Sequence, residues 1–547
     1  MLAQRLTYAI TACLLTTVPL QAAAPPLLPS PEGNNPHPHR NYLLVRQQDT
    51  WLSTRNAAGL VRYRSQSIAQ AEVSLTAGRG GLTDYYESPK TLTLDAAVES
   101  YFRISPRTVV FGSISYENLS GDYMTGSAFI DPRRLPFDIV EDSLTNEGRK
   151  HRDTYRLTGA VGTDLGHGLS IGGRVDYTAA NYAKYKDLRH KNKLMHLEAT
   201  AGIAWQMAPW LSAGADYTYR RRTESVTFGT YGKGDRVYKS LISYGTMTGI
   251  VEQFGSYGYT DRSREMPLTD QAHGAALQIE VRPAERLTLF AEGGYSHRSG
   301  YYGRPSPYTI TYTNHHGDAA RLSLLISHVS QAARHLLALR LESEALENNA
   351  ETYRDLQNET GSNYYEYYDG VKTGNKLWQN AAIDYTGHLG IQGEQPTWTL
   401  RAALQWMHRK QTAYLYPYLR RQDLRATQLT LQATRHLAVG RGLLSLSGTV
   451  GYQKGSGQPY EDGTLATPSD RQQPPAMMEA FLYREYLWLT APQYRVGGSV
   501  GYAFPMPGTR LNTYVRLSVD HRKANETNQY SNGKDHTQMA VAVGCTF

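Results

Sequence analysis

Residues 537–547 read Thr-Gln-Met-Ala-Val-Ala-Val-Gly-Cys-Thr-Phe. One parity carries Thr537, Met539, Val541, Val543, Cys545 and Phe547, and the other carries Gln538, Ala540, Ala542, Gly544 and Thr546. A strand sends successive side chains to opposite faces, so this stretch has one apolar face and one small or polar face. The sequence just before it repeats the pattern as a hairpin. Tyr494, Val496, Val500, Tyr502 and Phe504 alternate with Arg495, Ser499 and Ala503. A Pro/Gly turn at 505–510 follows, and then Thr513, Val515, Leu517 and Val519 alternate with Tyr514, Arg516, Ser518 and Asp520.

Upstream, Trp398, Leu400, Ala402, Leu404 and Trp406 back onto Thr399, Arg401, Ala403 and Gln405. A soluble β-sandwich alternates too, but its strands average about five or six residues. The runs here reach about ten to twelve, the length a tilted strand needs to cross a bilayer. Short turns at 103–107, 164–168, 283–286 and 437–441 alternate with expected long loops at about 118–153, 221–271, 346–376 and 454–493. Mean hydropathy is −0.51, and past residue 24 no run of about 18 apolar residues could make a membrane helix. The chain has 41 Tyr against 10 Phe, and tyrosine suits an interface where a ring meets lipid and its hydroxyl meets water. The expectation is an all-β fold: a transmembrane, antiparallel, up-and-down β-barrel of about 18 strands over 69–547. It has short periplasmic turns and long extracellular loops.

The N-terminus fits an export signal over 1–24, with Arg5, an apolar run at 6–20, and Ala22, Ala23 and Ala24 before the cut. The alternative is a lipoprotein signal at Cys13, against which stands its position in the middle of the apolar run. With Cys13 removed only Cys545 remains, so no internal disulfide forms. Residues 25–68 read as a periplasmic linker or a small lumen insert. The formal charge of +8 carries no basic block, which fits contact with outer-membrane lipid and lipopolysaccharide and excludes a nucleic-acid partner.

The terminal Phe547, with Met539, Val541 and Val543 at alternate positions, resembles the assembly signal of Gram-negative outer-membrane barrels. That resemblance implies the barrel assembly machinery and periplasmic chaperones as partners. Asn56-Ala57-Ala58-Gly59-Leu60 and Lys186-Asp187-Leu188-Arg189-His190 resemble stretches of a large barrel family of unknown function. This implies a fold and an address but no activity.

Chemistry is sparse. Ser531-Asn532-Gly533 resembles part of the His-x-Ser-Asn-Gly motif of outer-membrane phospholipases, but Gln529 stands where the His belongs, and a turn explains the stretch. Asp520 and His536 both have inward parity near the outer rim, in the manner of rim proteases; a rim hydrogen bond is the simpler reading. His37, His39, His315 and His316 lack partner ligands at metal-site spacing and read as loop residues. The tyrosines at 364–368 and 301–302 suit either sugar stacking or loop packing.

The inward parity collects charge: Arg174, Asp176, Asp216, Glu280, Arg282, Glu292, Arg340, Glu342, Asp384, Arg401, Arg495 and Arg516. Facing lipid at mid-depth, an Arg or Lys would cost about 2–4 kcal/mol, so these groups should line the lumen. An 18-stranded lumen is too wide for side chains alone to fill. Residues 476–490 follow Pro474-Pro475 and precede Pro492, which predicts a helix with Met478, Phe481, Leu482, Tyr486 and Leu489 on its packed face and Glu479 and Arg484 turned away. The expected function is a passive channel or substrate-specific transporter for a small polar solute, narrowed by that helix, with no catalytic group, metal or cofactor. The alternative is a non-conducting surface accessory or adhesin acting through its loops.

Overall fold

The computed structural model describes residues 39–141, 146–232, 236–255, 259–260, 266–507, 509 and 511–547. Among these, eighteen antiparallel strands form a closed cylinder, and each long strand pairs with the next along the chain. The seam joins the first strand, Ser67–Arg79, to the last, Asp535–Thr546, in register from Gln70↔Thr546 to Arg79↔Thr537. Val73, Leu75, Val515, Leu517, Met539 and Val541 are exposed on the outer surface, as alternation requires of a lipid-facing band. No helix among the described residues is long and apolar enough to cross a membrane.

The short turns fall where the sequence puts them, at 106–107, 167–168, 285–286 and 440–441. The expected loop at 346–376 does not exist as a loop. Strands Ala333–Gln357 and Asn363–Leu389 run through it, turning only at 358–362 and pairing from Thr352↔Tyr368 to Gln357↔Asn363. These strands carry the sheet beyond the bilayer, where water bathes both faces and no apolar parity is needed. His315 likewise lies within strand Thr309–Val329, fully buried, rather than in a loop.

The segment before the first strand packs inside the cylinder at the end that carries the short turns. It consists of α1 (Tyr42–Arg46) and two 3-10 turns, Thr50–Ser53 and Ala57–Arg62. Each starts on an Asn or Asp whose side chain accepts a backbone N–H: Asn41 from Leu44 at 3.0 Å, Asp49 from Trp51 at 3.1 Å, Asn56 from Ala58 at 3.1 Å. Such side chains stand in for missing backbone partners and start short helical turns. Trp51 is buried, edge-on to Phe290 of the wall at 5.3 Å.

The wall makes room for this plug with glycine. Gly162, Gly172 and Gly202 face one another across three adjacent strands. A Cβ at Gly162 would meet the Ala57 carbonyl oxygen at 2.3 Å, and one at Gly202 the Asn56 Oδ1 at 2.2 Å. Only a side-chain-free row lets two backbones approach so closely.

At the outer end, loop segments fold back as a roof. Asp138–Glu141, Lys239–Gly245, Thr248–Gln253 and Ala476–Met477 form a four-stranded sheet in the spatial order 476–477, 248–253, 239–245, 138–141. Its strands at 138–141 and 240–245 are buried on both faces, whereas 250–253 reaches the surface. Ile139 and Ile242 pack with Phe137 and the wall residues Tyr302 and Ala413. Val140 and Leu241 pack with Tyr85, Phe481 and Leu482.

The predicted helix is α2 (Glu479–Thr490), shorter at its start than 476–490 because Ala476 and Met477 pair with Gly249 and Thr248 instead. Phe481 and Leu482 are buried in the roof, while Tyr486 bonds the Gly457 carbonyl at the surface. Arg484, expected to turn away, is buried. It donates to the Tyr530 carbonyl at 3.2 Å and to Asn532 Oδ1 at 2.9 Å, because α2 is packed on more than one side.

Candidate functional site

Lysines from the wall strands hold the roof. Lys150 Nζ donates to the Ser127 carbonyl at 2.8 Å, Lys184 to the Asn146 carbonyl at 2.8 Å, and Lys376 to the Leu135 carbonyl at 2.8 Å. All three are buried, and Lys184 and Lys150 share the roof carboxylate Glu141. Arg409 grips Glu485 of α2 through two bonds of 2.6 and 2.9 Å, and Arg134 of the roof grips Glu342 of the wall at 2.7 and 2.9 Å. Charge-assisted two-point contacts of this kind fix orientation as well as position.

Between plug and roof lies a chamber of about 840 Å³. Among the described residues, eight arginines and eight carboxylates border it, so its charge is dense and of both signs. The arginines include Arg220, Arg298 and Arg321 of the wall and Arg55 of the plug, and the acids include Asp84, Asp270, Glu342 and Glu485. Burial, with Glu485 and Glu87 beside it, pushes the Asp84 carboxyl well above its usual range. Burial acts the same way on Asp131, but Arg133 outweighs it and holds that carboxyl below its usual value.

The twelve charged residues picked out by inward parity divide among three places. Glu342 borders the chamber. Glu280 and Arg282 lie against the plug: Glu280 accepts from Thr50 at 2.5 Å and from Arg62 at 3.2 Å, and Arg282 stands 3.7 Å from Asp49. Most of the others pair with neighbours on the wall. Arg174 pairs with Asp176 at 2.7 Å, Arg340 with Asp384, Arg495 with Asp520 at 2.6 Å and Arg516 with Glu72 at 2.7 Å. Gln278 donates to Asp216 at 2.5 Å and to Glu292 at 3.2 Å, and Arg401 is exposed.

Of the proposed packed face of the helix, Leu489 reaches the chamber with Trp488, and Met478 lies beside Phe481 and Leu482 in the roof. Arg220, Arg298, Glu344 and Arg409 escaped the sequence reading. They stand on strands whose inward parity it had followed only through the membrane-depth portion, and carrying that parity outward would have found them.

The weaker motifs resolve as structure. Ser531 Oγ bonds its own turn through Asn528 at 3.2 Å, and Asn532 serves Arg484. Asp520 is taken by Arg495, and His536 meets the Gly80 carbonyl at 3.1 Å. His37 lies outside the described residues. No group of three or more metal-ligating side chains occurs among the described residues. Asp187, in one of the two stretches quoted for family resemblance, accepts backbone N–H groups of Tyr231 and Gly232 at 3.0 and 2.6 Å. The other stretch, with Asn56, forms the docked turn of the plug.

An apolar outer band, a cylinder closed first strand to last, and a lumen held at both ends define an outer-membrane-type β-barrel with an internal plug. The chain matches a family of unknown function (DUF6850) over residues 57–547 and belongs to that family. No curated protein sequence matches it. Among solved structures it is similar to BauA, the ferric preacinetobactin receptor of Acinetobacter baumannii, at 10% identity and a TM-score of 0.39, covering 88% of this chain and 80% of that one. It is also similar to the ferric-catecholate import receptor Fiu of E. coli, at 8% identity and 0.39, covering 88% and 82%. The outer membrane transporter YddB of Escherichia coli gives 7% identity and 0.41, covering 88% and 81%.

Proposed function

We propose that the protein is an outer-membrane transporter for a small polar solute, gated from within by its plug and roof. The chamber carries this reading: about 840 Å³ of charged space, held in the lumen between two lids that are themselves pinned by polar contacts. A volume of this order suits a small molecule. The route is asymmetric. The plug's described hydrogen bonds and ion pairs go to the strands between Ser67 and Leu389 and to the turn at Glu394. The inner faces of the strands from Trp398 onward, with Arg401, Arg495 and Arg516, therefore border the side along which a solute would pass. Residues 1–24 serve export, and the last strand serves recognition by the assembly machinery.

Single-channel recording in a planar bilayer tests the reading. The native protein is expected to show a small or intermittent conductance and a plug-displaced variant a larger steady one. A folded, plug-displaced barrel that conducts nothing moves the weight to a surface-contact role. Exposed tyrosines on outer segments favour that second reading, with Tyr231 64%, Tyr308 59% and Tyr416 67% exposed.

A further inference from the structure

One part of the chamber wall is floored by small side chains and ringed by guanidinium groups. Register sets Arg220 against Ala272, Ala272 against Arg298, and Gly294 against Arg321 on successive strands. Gly274 and Ser296 complete the floor, directly opposite each other. Arg55 reaches the same wall from the plug, where it pairs with Glu198, itself opposite Arg220. Every one of these residues borders the chamber.

Charge around the ring does not cancel evenly. Glu198 answers Arg55, Asp270 and Glu344 answer Arg298, and Glu292 stands 3.6 Å from Arg321. Arg220 has no carboxylate within 4.0 Å among the described residues; Asp270 and Glu344, both committed to Arg298, attract it only from longer range, while Arg298 and Arg222 bear on it with like charge. Next to it, two buried nitrogens that border the same chamber, Arg222 Nε and His196 Nε2, lack a hydrogen-bond partner, and His196 and Arg222 face each other in register. Buried polar atoms are nearly always satisfied, so a cluster of idle nitrogens beside an unpaired guanidinium marks a place where an acceptor belongs.

We propose that this patch binds a small anion through carboxylate or phosphate oxygens, with Arg220 as its principal contact. A guanidinium offers several donors in one plane and takes two oxygens at once. The floor of Ala272 and Gly274 carries no long side chain, and Arg298 and Arg321, pinned by their own acids, flank it, with Arg321 lying across Gly294. As the cargo of a transporter the anion rests on the function proposed above; as a bound ligand it does not.

The test uses full-length protein purified in detergent, titrated calorimetrically at low salt with inorganic phosphate and, separately, with succinate. At least one is expected to bind saturably, and the two arms distinguish phosphate from carboxylate preference. Arg220→Gln should weaken that binding at least about tenfold, the scale of a lost charge-assisted contact. Ala272→Leu, which fills the floor without touching charge, should do the same, and Arg425→Gln, outside the chamber, should not. Each variant is first shown to be folded by heat-modifiable migration, and Ala272→Leu keeps the test open if Arg220→Gln does not assemble. No saturable binding of either anion, or binding that ignores both Arg220→Gln and Ala272→Leu, overturns the site. Flux in proteoliposomes separates the two ideas: Arg220-dependent binding without flux sinks the transporter and leaves the site. Flux indifferent to Arg220 does the reverse.

Discussion

A Cβ on Gly172 would stand 2.3 Å from the carbonyl carbon of Ala57, so the wall and the plug touch backbone to backbone. That contact makes the plug removable by one side chain. Gly172→Val should expel the 57–62 turn while the outer face and seam, which it does not touch, still assemble. Conductance in a planar bilayer is expected to rise several-fold, and hydrogen exchange over 50–62 to quicken. Overpacking of this kind costs about 1–3 kcal/mol. A folded Gly172→Val barrel with native conductance and a protected plug would contradict the docking.

The facing of the wall strands gives a second test. Leu404 is 41% exposed on the outer band, between Trp398 and Trp406 on the same parity. Leu404→Arg should cost about 2–4 kcal/mol of folding free energy in lipid, whereas Arg401→Leu, pointing inward, should cost little. Urea titration in lipid vesicles reads both. Equal costs, or the reverse order, would invert the assignment.

Glu485 makes the ion pair that ties α2 to the wall. Removing one partner of a buried ion pair costs about 3–5 kcal/mol because the other charge is stranded. Glu485→Ala strands Arg409, which keeps the amides of Gln422 and Gln411 but no carboxylate within 4.0 Å among the described residues. The expected result is a loosened α2, cut by protease between 474 and 492 while the strands stay protected. Deleting 474–490 should open the outer mouth and enlarge conductance without preventing assembly. An undiminished resistance to protease in Glu485→Ala would show that apolar packing of Phe481 and Leu482 suffices.

Two roof carboxyls make the roof sensitive to pH. Burial raises Asp138 from 3.8 to about 6, although Ser127 and Tyr85 donate to it, and burial raises Glu252 from 4.5 to about 7 against the opposing N–H of Tyr259. Both hold protons more tightly folded than unfolded. Their contribution is full below the unfolded values and is lost as pH rises through about 6 and 7. Exchange of roof amides, corrected for intrinsic rate, should therefore slow between pH 8 and pH 5. Asp138→Asn with Glu252→Gln should flatten that profile, and an unchanged slope in the double variant would refute the assignment.

The last residue closes the seam as well as ending the chain. Phe547 N–H donates to the Ala69 carbonyl at 2.9 Å, and Ala69 N–H returns the bond at 2.7 Å. Deleting Phe547 removes this pair together with the expected recognition signal. Export is expected to continue while the heat-modifiable, folded form disappears from the membrane fraction. Normal barrel levels after deletion would count against any assembly role.

The barrel was legible where one face meets lipid, because there hydrophobicity must alternate with period two. Residues 493–547 show this from Val496 to Val543. Legibility failed where water or protein covers both faces. Strands Ala333–Gln357 and Asn363–Leu389 pass through a polar, tyrosine-rich stretch with no parity to read. Asp138–Glu141 is buried at every position, so its short apolar core gives no period at all. The plug's berth left a trace that periodicity does not measure: inward glycines at 162, 172 and 202 on three consecutive strands. Their common depth becomes visible only with the register. The chamber's ring was missed for a different reason, since Arg220 and Arg298 follow the right parity but lie nearer the outer ends of their strands.

Lys150 and Lys376 stand on the fourth and twelfth strands of an eighteen-stranded ring, nearly across a diameter, and both hold the same roof segment through Ser127 and Leu135. The roof thus works as a tie rod. A wide hollow cylinder of sheet flattens easily, since bending at each strand pair is soft and the deformations add around the circumference. A cross-member fastened to opposite walls resists that ovalisation at the outer rim, and the plug, spanning from Gly172 to Arg334, does so at the inner one. Releasing either lid therefore changes the cross-section of the tube as well as its opening.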